Sequence, residues 1–162
     1  MTDNFDGFVV SVVRSDDDLS AALAVRTRVF VEEQGVPIDL EVDATDHEAL
    51  TSPNAVYVIG RLHGVAVATA RLLFKAHGEP GAMPHIGRVA VLAEHRGRGF
   101  GAAIMRALHD EARMRGAGAV TLAAQVHAIP FYERLGYVAR GPLFLDAGIE
   151  HRDMEFRLPA RA

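Results

Sequence analysis

The 162-residue chain contains no cysteine. That excludes disulfides, thiolate metal sites and a cysteine nucleophile, and it fits a cytoplasmic location. Its single lysine, Lys75, lies in Phe74-Lys75-Ala76, so the Gly-Lys-Ser/Thr of a Walker-type phosphate loop is missing. No apolar run approaches the roughly 18 residues of a membrane span. The polar, acidic start from Met1 to Asp6 predicts no secretory signal and no membrane partner. His47, His77, His85 and His95 lack the paired spacing of a zinc site, and there is no His-Glu-x-x-His, so no metal is expected. Asp43, Asp46 and His47 are a weak alternative as metal ligands. No Gly-x-Ser-x-Gly elbow supports a serine nucleophile. Without repeats, low-complexity tracts or a long linker, residues 1–162 are expected to form one domain around one core.

What is present is an ordinary globular composition, 49% apolar and 23% charged. The net charge of −4 is unevenly spread. Residues 1–50 carry twelve acids and three bases, whereas residues 51–162 carry fourteen bases and nine acids. A basic half suits a polyanionic ligand, and an acidic half suits a cationic partner such as an amine. The same acids also read as plain solvated surface, and the net acidity argues against nucleic acid as the partner.

Phe8 to Arg14 reads as a first strand. Ser15 offers an N-cap with Asp18 three residues on, opening a helix to about Val31 with Leu19, Leu23 and Phe30 toward the core. Gly35 and Pro37 end it, and an acidic loop follows through His47. Ala55 to Leu62 and Val65 to Leu73 read as strands joined by a His63-Gly64 hairpin, and Ile86 to Leu92 as the next strand. A helix from Gly99 to Arg115 places Ile104, Leu108 and Ala112 on one face. Ala119 to Ala124 is a strand and Pro130 to Leu135 a short helix. Tyr137 to Leu145 and His151 to Leu158 close as strands that could pair across a homodimer. This order predicts an α/β domain with a mixed, mostly antiparallel sheet flanked by helices.

The most informative segment is Arg96-Gly97-Arg98-Gly99-Phe100-Gly101, between an apolar strand and a helix. The first N–H groups of a helix lack internal partners and carry partial positive charge. Glycines let a pyrophosphate approach them, and arginines add charge. The plainer reading is a flexible loop with solvated arginines. Gly97-x-Gly99-x-x-Ala102 also fits a dinucleotide fingerprint, but the next strand ends Ala123-Ala124-Gln125, without the acid that would hold a ribose.

Arg96-x-x-Gly99-x-Gly101 after Val89-Ala90-Val91 resembles the acetyl-CoA signature of the GCN5-related N-acetyltransferases. Gln125-x-x-Ala128-x-x-Phe131-Tyr132-x-x-x-Gly136-Tyr137 resembles that family's second motif, with Gln125 and Tyr137 where the family often has Asn and Phe. A narrower likeness, to the ElaA-like branch, rests on Val29-Phe30-Val31-Glu32-Glu33-Gln34-Gly35-Val36-Pro37, Glu41-x-Asp43-x-x-Asp46, Ala124-Gln125-x-His127 and Gly148-Ile149-x-His151-x-x-Met154.

The resemblance implies the acyl-CoA N-acyltransferase fold and direct transfer of acetyl from acetyl-CoA to a small-molecule or peptide amine. A non-catalytic CoA-binding regulatory domain of the same fold is the alternative. The glycine turn, Gly97 and N–H groups from Arg98 through Gly99, Phe100, Gly101 and Ala102 to Ala103, would hold the pyrophosphate. The backbone of Val89, Ala90 and Val91 would pair with the pantetheine and polarise the thioester carbonyl, with Gln125 alongside. Tyr132 would contact the cofactor and act as general acid, since a phenol of pKa about 10 can donate to a thiolate of pKa about 8.5. Glu33, Asp43, His127 and His151 are candidates for the general base, and the acidic loop Glu32 to Glu48 would favour a cationic acceptor.

Overall fold

The computed structural model describes residues 7–75 and 83–160. The segment Met1 to Asp6 and His77 therefore lie outside the described residues. One seven-stranded sheet organises the chain, in the order β1-β2-β3-β4-β5-β7-β6. Its strands are β1 (Phe8–Val12), β2 (Ala55–Leu62), β3 (Val65–Leu73), β4 (His85–Val91), β5 (Ala119–Gln125), β6 (Val138–Asp146) and β7 (Ile149–Arg157). Every neighbouring pair is antiparallel except β4 and β5. A parallel pair needs a crossover, and α4 (Phe100–Met114) supplies it.

Helix α1 (Asp16–Arg26) is capped by the Ser15 hydroxyl, which accepts from the Asp18 N–H at 3.1 Å. It continues as π-helical turns over Thr27–Glu33. Leu19, Leu23 and Phe30 are only half-buried; the fully buried face is Ala22, Val25, Arg26 and Val29. An apolar pattern could not identify that face, because one of its members is an arginine. The stretch expected as an acidic loop forms two short helices, α2 (Ile38–Glu41) and α3 (Ala44–His47), the second closed by a reciprocal Asp43–Asp46 capping box.

On α4, Ile104, Leu108 and Ala112 are fully buried, as the fourfold spacing predicts. Phe100, its first residue, stacks on Phe8 with ring centroids 4.0 Å apart. That stack is possible because Gly60 on β2 has no side chain: a Cβ there would sit 2.5 Å from Phe8 Cζ. Short helix α5 (Ile129–Arg134) precedes the β6–β7 hairpin. No helix among the described residues is long and apolar enough to cross a membrane.

Candidate active site in the split between β4 and β5

Strands β4 and β5 pair only at His85–Thr121 and Ile86–Leu122. Beyond those two rungs the strands part. A bulge drives β4 away: the register against β3 shifts between Thr69 and Arg71, and Arg88 adopts a left-handed φ of 53°. A bulge bends its strand and re-aims the backbone. The resulting cavity, about 800 Å³, is walled by Val89, Ala90 and Val91 on one side and Ala123 and Gln125 on the other. One end reaches the glycine turn, and His85, Asp146 and His151 also line the cavity.

At the first end, Gly97 and Gly99 have φ of 77° and 85°, conformations that side chains strain. Gly99 is the N-cap of α4, and no side chain among the described residues caps this helix. The free N–H groups of such a helix start suit an anion. Gly97 has open space where a Cβ would stand, while a Cβ on Gly101 would lie 3.2 Å from Phe131 Cζ. These are the features that a pyrophosphate-bearing acyl-CoA requires, so the residues present fit such a substrate. Phe100 contributes only backbone here, its ring being core, and Ala103 is buried behind the turn. Arg98 is exposed beside His95, with its guanidinium 4.9 Å from the Phe100 ring centre.

Arg96 is fully engaged. Its Nε donates to the Val91 carbonyl at 3.0 Å, and its two terminal nitrogens donate to both Glu33 oxygens at 2.7 and 2.8 Å. The pair staples the glycine turn to the end of the first helix. Those hydrogen bonds hold the Glu33 carboxyl below its ordinary pKa. A carboxylate already spent on a guanidinium is a poor acceptor for an amine proton, so the geometry removes Glu33 from the role of general base.

In the middle of the split, Tyr132 lines the cavity and is 8% exposed. Its ring meets Phe131 and Tyr137 edge-on at 5.0 and 5.7 Å. Burial raises its pKa above the ordinary phenol value, so the hydroxyl is protonated at neutral pH. Tyr137, behind it, shares a 2.6 Å hydrogen bond with His109 of α4. Burial pushes His109 down to about 4, with Arg113 adding to the effect, so its imidazole is neutral. This tyrosine–histidine pair was not foreseen from the sequence; the aromatic at Tyr137 was the only available signal. Gln125 crosses the cleft mouth to Gln34 in a reciprocal amide pair of 2.8 and 3.2 Å. His127 stands exposed at the rim.

The acidic loop turns inward. Arg26, 1% exposed, donates from Nε to Glu41 at 2.8 Å and from both terminal nitrogens to Asp46 at 2.7 and 2.9 Å. Arg71 holds Asp43 at 2.6 Å and Asp46 at 2.9 Å. Arg88 lies 3.2 Å from Glu41 Oε1, and Tyr57 donates its hydroxyl to Asp46 at 2.6 Å. Burial pushes the Asp46 carboxyl up, but the bonds from Arg26 and Tyr57 outweigh it and hold the group well below the usual carboxylate range. Burial and the same bond push Tyr57 up to about 12. Three arginines thus neutralise Glu41, Asp43 and Asp46. Asp43 is no base, and these carboxylates offer no net charge to a cationic acceptor. Of the acids in this stretch, Glu32, Glu33, Asp39 and Glu48 are exposed, Glu33 in its pair with Arg96. Among the described residues no three His, Cys, Asp or Glu side chains gather as a metal-binding group.

The comparisons with known proteins agree with this geometry. Residues 39–158 match the family model of the acetyltransferase (GNAT) domain. The chain belongs to the GNAT acetyltransferase family. It is 37% identical over 145 residues to YjcF of Bacillus subtilis (strain 168), an uncharacterized N-acetyltransferase, covering 88% of this chain and 95% of that one. Among solved structures, an acyl-CoA N-acyltransferase from Pseudomonas aeruginosa is 31% identical with a TM-score of 0.77, covering 91% of this chain and 98% of that one. Escherichia coli ElaA superposes with a TM-score of 0.78 at 26% identity, over 91% of this chain and 98% of ElaA. The likeness to the ElaA-like branch seen in the motifs thus extends to the fold of this GNAT chain.

Proposed function

We propose that this GNAT protein transfers an acetyl group from acetyl-CoA directly to the nitrogen of an amine. The observation that carries the proposal is the split between β4 and β5, which leads from an uncapped, glycine-lined helix start to a buried, protonated tyrosine. In this reading the start of α4 binds the pyrophosphate. The unpaired edge of β4 beyond Ile86 fixes the pantetheine and donates an N–H to the thioester oxygen, where negative charge develops as the amine adds. Holding the thioester in the split removes much of the entropic barrier to attack. Tyr132 gives its proton to the departing sulfur, and its buried setting keeps water from quenching that bond. Arg96 acts by positioning: it ties the glycine turn to Val91 and Glu33.

Calorimetric titration of acetyl-CoA, with NAD as the comparison ligand, tests the first half. Micromolar binding of acetyl-CoA alone is the expected result; no binding overturns the assignment. Tyr132→Phe tests the second. It should bind acetyl-CoA as the parent does and lose about 10²-fold or more in turnover on a broad amine panel. Binding without turnover by the parent protein on every amine would instead favour a CoA-binding domain without catalysis.

A further inference from the structure

We propose that His151 is the general base of this site, taking the proton of the attacking amine at Nε2. The inference rests on the acetyl-transfer reading above and adds the group that this reading lacks. Amine transfer needs a lone pair on nitrogen, so a proton must leave the amine before or during attack. Two carboxylate candidates, Glu33 and Asp43, have both their oxygens committed to arginines. His151 is differently placed.

His151 lies on β7 directly opposite Gln125, the last residue of β5, and so at the wall of the split. It lines the cavity and is 8% exposed. Its Nδ1 is 2.7 Å from the carbonyl oxygen of Ile149. A carbonyl only accepts, so Nδ1 carries the hydrogen. In the neutral ring Nε2 then holds the lone pair. One nitrogen is thus fixed as donor by the backbone, which sets the tautomer a base needs. The ring plane is fixed as well, stacked on Phe144 of β6 at 5.9 Å and 23°.

The local chain explains the fit. β6 and β7 are joined through Ala147 and Gly148, both at positive φ, 51° and 76°. Such a tight turn sets the register of the hairpin, which pairs Phe144 with His151. The charged and titratable groups lining the same cavity include His85 and Arg88 on β4, His127 after β5, Tyr132 and Arg134 of α5, Asp146 on β6 and, nearer the first helices, Glu33 and Glu41, with His95 and Arg96 at the glycine turn. On β7 itself, the neighbouring Arg152 is turned to the Gly141 carbonyl at 2.9 Å.

The proton balance closes. Nε2 takes a proton from the amine as its nitrogen bonds to the thioester carbon. The carbon–sulfur bond breaks, and the Tyr132 hydroxyl protonates the sulfur. The imidazolium and phenolate then reset by proton exchange through solvent, leaving amide and free thiol.

His151→Asn is the informative variant, because its side-chain N–H can still donate to the Ile149 carbonyl while offering no basic nitrogen. The rate of the parent protein, measured against pH with acetyl-CoA and its best amine, should show an acid limb. H151N should lose about 10²-fold or more in kcat, keep the KM for acetyl-CoA, and lose that limb. Retention of both rate and limb in H151N overturns the proposal while leaving acetyl transfer intact. A parent protein that transfers to no amine overturns both. A readout independent of any variant's folding is the histidine nitrogen NMR of the parent protein. It should show His151 as the Nδ1–H tautomer, and an Nε2–H tautomer would sink the assignment.

Discussion

Two adjoining regions of this molecule are rich in ionisable side chains and have different fates. Under helices α1 to α3, Arg26, Arg71 and Arg88 engage Glu41, Asp43 and Asp46, and of the buried side-chain polar atoms there Glu41 Oε2 and Arg71 Nε are left without a hydrogen bond. In the split between β4 and β5, an uncapped helix start, an unpaired strand edge and one nitrogen of His151 keep bonding capacity in hand. The first region fixes where the first helix and β4 stand; the second is where the proposed chemistry takes place on that frame. Charge alone therefore says little about function. What distinguishes a site is which donors and acceptors the fold leaves unspent.

The largest test of this contrast is Arg26→Met. It takes from the Glu41 and Asp46 carboxylates their most buried partner, leaving Arg88 to the first and Arg71 and Tyr57 to the second, and breaking a buried pair costs about 3–5 kcal/mol. Urea denaturation should show a loss of that order. A loss below about 1 kcal/mol would mean that water reaches the cluster.

A smaller effect is expected from acid. His109 titrates at about 4 in the fold against roughly 6.5 when unfolded, so the unfolded chain binds the extra proton first. Stability is therefore full above pH 6.5 or so and falls as the pH drops toward 4, by up to about 3 kcal/mol. His109→Phe should flatten that stretch of the stability–pH curve. An unchanged slope would place the titration elsewhere.

The smallest effect on stability belongs to Glu33→Gln. Its pair with Arg96 is 40–43% exposed, so the loss should stay under about 1 kcal/mol. The expected result is a few-fold rise in the acetyl-CoA KM, through the loosened glycine turn, with the acid limb of the pH–rate profile kept. Loss of that limb in this variant would return Glu33 to the role of base and blur the contrast between the two regions.

Much of the site was legible in the sequence because backbone needs leave marks. Gly97 and Gly99 stand at positive φ, and the strand before them is apolar on schedule. Ile104, Leu108 and Ala112 announced the buried face of α4. The acidic stretch misled because sequence shows the carboxylates and not the arginines that claim them, which come from α1, β3 and β4. Arg26 falls among apolar neighbours at helical spacing, but a pattern of hydrophobic residues passes over it. His151 was one base candidate among four, since no motif says which of its nitrogens faces a carbonyl. That distinction came from a hairpin register.

Gly60 carries a last consequence. The empty space on β2 admits Phe8, Phe8 carries Phe100, and Phe100 is where the ligand-facing helix begins. A methyl group added there would reach the glycine turn at the start of α4 through two aromatic rings. In the currency of inheritance, this position is answerable, on the proposed function, to a ligand it never meets, because the packing it protects carries the start of α4.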